Sequence, residues 1–71
     1  MAESVYKVIE LVGSSHESWE RATAAVIETA AKTLRDLRVA EVDKLDVTVK
    51  DGKVEAYRVK VKLSFKYEGG G

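Results

Sequence analysis

Seventy-one residues suffice for one domain, and a domain this small buries only about 60% of the surface its unfolded chain exposes, so its own core leaves it marginally stable. With no cysteine to form a disulfide, self-association is the expected source of the missing stability. Twelve basic against twelve acidic residues exclude a long-range pull toward nucleic acid or anionic membranes.

No apolar run approaches the roughly 18 residues of a membrane span, and Met1-Ala2-Glu3-Ser4 lacks a basic segment followed by an apolar one. The expected compartment is the cytoplasm, with the absence of cysteine compatible with a reducing one. The first element is a strand over Val5–Val12, rich in β-branched and aromatic residues and closed by a turn at Gly13-Ser14-Ser15. It carries Val5, Lys7, Ile9 and Leu11 on one face and Tyr6, Val8, Glu10 and Val12 on the other. Neither face is purely polar, so one can meet a helix and the other a second copy of the chain.

Ser14 and Glu17 have the spacing of a capping box, which predicts a helix starting there. Trp19, Ala22, Val26, Ala30, Thr33 and Leu37 fall on one stripe at helical spacing, so the helix is expected to run to about Leu37 or Arg38. Glu17 with Arg21, and Glu28 with Lys32, place an acid four residues before a base on its exposed side.

A second strand is predicted over Val39–Lys50. Its apolar phase shifts between Val42 and Leu45, and a β-bulge near Asp43-Lys44 would repair it. Asp51-Gly52 tolerates the positive φ of a tight hairpin turn, and a third strand follows from about Lys53. That strand alternates cleanly, with Tyr57, Val59, Val61, Leu63, Phe65 and Tyr67 on one face and Arg58, Lys60, Lys62, Ser64 and Lys66 on the other.

The predicted fold class is α+β: a β-α-β-β unit in which a three-stranded antiparallel sheet wraps around one helix. Residues 1–71 form a single domain, with 69–71 as a flexible tail. Such a sheet leaves long edges and a partly apolar outer face, which symmetric closure with other copies would cover.

In this order of elements the sequence resembles the dodecins, small β-α-β-β proteins that form hollow homododecamers and in many members store or buffer flavins. The resemblance covers almost the whole chain. It rests on Val5 through Ser15, on Ala31-Lys32-Thr33-Leu34-Arg35 with Leu37, Glu41 and Val42, and on Tyr57 through Phe65 with Glu68. By this resemblance the flavin-contacting positions are Val39, where flavin-binding members carry a stacking Trp; Arg58, where they commonly carry a Gln; and Asp46, where many carry an Arg.

Stacking on an aromatic face gives roughly 0.5–1.5 kcal/mol per pair beyond area burial, and Val39 offers none. The resemblance therefore implies a non-catalytic small-ligand binding or storage assembly with a degenerate flavin site and an unknown ligand. Flavin storage through a changed contact set is one alternative. A structural or calcium-binding cage is another, with Glu10, Glu41, Asp43 and Asp46 as candidate ligands, although no EF-hand spacing is present.

No residue set points to catalysis. His16 is the only histidine and has no adjacent nucleophile pattern, and capping accounts for the alcohols at Ser14 and Ser15. Trp19 lies on the helical stripe and is read as packing. The basic stripe Arg58, Lys60, Lys62 and Lys66 has no interleaved aromatics, so it is read as pairing with acids such as Glu41, Asp43 and Asp46 rather than with nucleic acid.

Overall fold

The computed structural model of the protein describes residues 3–67, so the expected tail at 69–71 lies outside the described residues. Strand β1 spans Tyr6–Ser15, helix α1 Trp19–Ala31, strand β2 Leu37–Lys50 and strand β3 Lys53–Lys66. They form one antiparallel sheet in the order β1-β3-β2, with α1 packed across one face. The β-α-β-β order and the sheet wrapped on one helix are those read from the sequence.

Strand β1 continues through Gly13-Ser14-Ser15, where the sequence predicts a turn. Gly13 is needed for close approach: a Cβ there would lie 2.4 Å from Val26 Cγ2 and 2.8 Å from the Ala22 carbonyl oxygen. A glycine that admits the helix looks, in sequence, like a glycine that ends a strand.

With the strand extended, the helix starts later than the Ser14–Glu17 pattern implies. Ser18 is the N-cap, with φ −170° and ψ 165°, and its hydroxyl accepts from the Arg21 N–H at 3.0 Å. Ser15 accepts from the Glu17 N–H at 2.9 Å, which shapes the short connection.

The helix also ends earlier than Leu37. The Thr33 and Leu34 N–H groups both reach the Ala30 carbonyl, at 3.1 and 2.9 Å, and Asp36 turns the chain with φ 59°. Leu34 and Leu37 still pack on the core, so the apolar stripe continues after the helical backbone has stopped.

Strand β2 has a register shift between Val42 and Lys44, the expected bulge, and others between Leu37 and Val39 and between Thr48 and Val49. Asp51 (φ 53°) and Gly52 (φ 74°) close the predicted hairpin.

The core is Ala22, Val26 and Ala30 from the helix against Val59, Val61 and Leu63 from β3, with Ile9, Leu11, Trp19 and Ile27 partly buried around it. Small residues on the helix let its backbone lie close to the sheet. Phe65, expected on the buried face, is half-buried and lies outside this cluster.

Candidate functional site

The sheet face opposite the helix carries the positions of interest, and the registers define it as rungs across β1, β3 and β2. From one end they are Val8–Ser64–Val39, Glu10–Lys62–Glu41, Val12–Lys60–Lys44 and Ser14–Arg58–Asp46. Residues directly opposed in an antiparallel pair project to the same side, so all twelve side chains share this uncovered face.

Asp46 and Arg58 are brought together. Arg58 donates from Nε to Asp46 Oδ1 and from Nη2 to Asp46 Oδ2, both at 2.8 Å, in a bidentate fork that fits a planar guanidinium. These hydrogen bonds hold the Asp46 carboxyl below its ordinary pKa, opposed by desolvation and helped to a lesser degree by the charges of Arg58 and Lys44. The same pair raises Arg58.

The Asp46 backbone is fixed as well. Trp19 Nε1 donates to the Asp46 carbonyl at 3.0 Å, and the indole meets Tyr57 edge-on with centroids 5.1 Å apart. Trp19 thus packs, as expected, but it also ties the first turn of the helix to the strand carrying Asp46. Nothing in the sequence pattern signals that second contact.

Val39 is not brought to this pair within the chain. It pairs with Ser64, six residues along β3 from Arg58, or about 20 Å at ~3.3 Å per residue. It is exposed and shares with Tyr6, Arg38 and Ser64 a shallow recess of about 390 Å³, where Tyr6 supplies an aromatic ring that sequence reasoning did not assign to the site.

The basic stripe is charge-matched in part. Besides Arg58–Asp46, Lys60 meets Glu10 at 3.6 Å, so one of its partners comes from β1, while the acids considered from sequence are all on β2. Lys62 faces Glu10 and Glu41 on its two sides. Asp43, at the bulge, enters no ion pair among the described residues, and no pair joins Glu28 and Lys32, whereas Glu17 and Arg21 approach to 3.9 Å.

The four carboxylates considered for calcium are not gathered by one chain. Glu10 and Glu41 flank Lys62 from opposite sides, and the described residues hold no group of three or more His, Cys, Asp or Glu able to bind a metal ion. His16 donates from Nδ1 to the Glu55 carbonyl at 2.9 Å, and Ser15 is engaged by the Glu17 N–H. Among the described residues no helix is long and apolar enough to cross a membrane.

Comparison with known proteins accounts for this architecture. The dodecin family model matches residues 5–68. The chain is 43% identical over 63 residues to the calcium dodecin of Mycobacterium tuberculosis, covering 89% of each protein, and 41% identical over 64 residues to the dodecin of Thermus thermophilus, covering 90% of this chain and 93% of that protein. The dodecin structure from Streptomyces coelicolor superposes with a TM-score of 0.91 at 33% identity, covering 99% of this chain and all of that one. A crystal structure of the Mycobacterium tuberculosis calcium dodecin, described as having a novel calcium-binding site, superposes with a TM-score of 0.81 at 42% identity, covering 96% and 97%. The family match over residues 5–68, the identities to two dodecins and the superposition over nearly the whole length give one conclusion: this chain belongs to the dodecin family.

Proposed function

We propose that the protein assembles into a hollow, dodecin-like homododecamer in the cytoplasm and acts there as a non-catalytic binding or storage shell for a small ligand, with its flavin site altered. The carrying observation is the Asp46–Arg58 fork on the uncovered sheet face, at two of the positions where the family resemblance places flavin contacts. Arg58 already has its guanidinium edge occupied, and Val39 supplies no ring on which an isoalloxazine could stack. The non-catalytic reading is consistent with the engagement of His16 and Ser15 by backbone groups.

Equilibrium dialysis against riboflavin and FMN tests the altered site. Riboflavin is expected to pass without saturable retention. Retention of riboflavin in the micromolar range would restore flavin storage and overturn this reading.

A second reading, a calcium-binding cage, draws on the 43% identical relative that is named a calcium dodecin. Glu10, Glu41, Asp43 and Asp46 could form such a site only by meeting across copies, since a calcium ion takes six to eight oxygen ligands and one chain does not cluster them. Calorimetric titration of the assembled protein with calcium decides it: saturable heat supports the cage, and its absence removes this reading.

A further inference from the structure

The rungs of the uncovered face differ in their charge balance. Glu10–Lys62–Glu41 sets a cation between two acids, and Ser14–Arg58–Asp46 contains a closed ion pair. The rung between them, Val12–Lys60–Lys44, sets two lysines directly opposite each other. Like charges in that position repel and destabilise the sheet.

The bulge creates this arrangement. The register shift between Val42 and Lys44 turns Lys44 to the uncovered face, opposite Lys60, where an unbroken ladder would have placed Asp43. Lys60 has a partial partner in Glu10 at 3.6 Å, whereas Lys44 has no ion-pair partner within 4.0 Å among the described residues. Both Asp46 oxygens are taken by Arg58.

Lys44, Lys60, Arg58 and Asp46, with Val12 and Val59, line one recess of about 190 Å³. It contains three cationic groups and one carboxylate already committed to Arg58, with Val12 beside them. An anion between the two ammonium groups would convert their repulsion into two attractions without breaking the Arg58–Asp46 pair.

We infer that this recess is an oxyanion subsite, held chiefly by Lys44 and Lys60 with Arg58 at its rim, that takes a phosphate-type group. The inference names a ligand class for the small-ligand shell and in that sense rests on that reading, although all its groups come from one chain. Bound phosphate oxygens would accept from both ammonium groups, each a compact point charge suited to phosphate.

The test is calorimetric titration of the assembled protein with inorganic pyrophosphate at low ionic strength, where exposed charges are least screened. Saturable binding is expected, weakened at least tenfold by Lys44→Gln and by Lys60→Gln, each checked for unchanged particle mass. Lys53→Gln is the control, because Lys53 and Lys50 are also opposed but stand at the hairpin tip, away from the recess. It is expected to leave binding intact. A titration with AMP distinguishes the source: tighter binding than inorganic phosphate indicates a phosphate carried on an organic ligand, and equal or weaker binding indicates a free oxyanion.

Absence of saturable pyrophosphate binding, or binding that both recess variants leave unchanged, overturns the subsite. Riboflavin dialysis and particle mass are measured without oxyanion. The storage reading can therefore fail while the subsite stands, and the reverse.

Discussion

At the scale of single residues, Gly13 and Asp46 are under the tightest physical constraint. Gly13 is the point where β1 and the helix touch, and a methyl group there meets backbone at 2.8 Å as well as the Val26 side chain at 2.4 Å. The Val26 methyl could rotate away, but the Ala22 carbonyl cannot move without displacing the helix. Gly13→Ala is therefore expected to destabilise by about 1–3 kcal/mol, as overpacking does, read as a lower urea midpoint. An unchanged midpoint would mean that the helix stands off the strand. Asp46 has a depressed pKa, so its contribution is present at neutral pH, above the unfolded-state value, and is lost as pH falls through the folded-state value. Asp46→Asn is expected to flatten the acid side of the stability–pH profile below the ordinary carboxylate range and to leave the neutral-to-alkaline side parallel to the parent. A profile of unchanged shape would show that the fork with Arg58 does not persist in solution.

At the scale of elements, the ends of the helix separate what the sequence states from what packing decides. Three strands, one helix, the bulge and the Asp51-Gly52 hairpin were all legible, because alternation, helical spacing and turn chemistry are local properties. The cap was not. Ser14, Ser15 and Ser18 are all plausible caps, and the choice follows from how far β1 pairs with β3, a long-range fact set by the close approach at Gly13. Ser18→Ala should cost about 1 kcal/mol in thermal or urea unfolding, while Ser14→Ala, in a strand on the uncovered face, should cost far less. Equal costs would contradict the assignment of the cap. The far end was misread for a related reason, since Leu34 and Leu37 keep their apolar phase while contacting the core from a non-helical connection. The candidate site was legible only as residue types at family positions. That Asp46 and Arg58 face each other depends on the register shift between Thr48 and Val49, because the ladder continued from Lys50–Lys53 would set Asp46 opposite Tyr57. The Trp19–Asp46 contact and the Lys44–Lys60 opposition likewise depend on the helix start and on irregularities of the ladder.

At the scale of the molecule, the isolated chain is poorly closed. Its radius of gyration is 14.8 Å, against about 11 Å for a compact chain of this length, and its extents are 54 × 20 × 18 Å. Only six apolar residues are buried among the described residues, whereas Val5, Tyr6, Val8, Val12, Val39, Val42, Leu45, Val49, Val54 and Tyr67 are large, apolar and exposed. Both outer strands β1 and β2 have an unpaired edge, and Tyr6, Val8, Val12 and Val39 make the uncovered sheet face partly apolar. The proposed assembly accounts for this distribution of surface, because closed symmetry would cover edges and faces together. Multi-angle light scattering of the purified protein at micromolar concentration tests that claim most directly. One discrete species of about twelve times the monomer mass is the predicted result, and a monomer at that concentration would contradict the account.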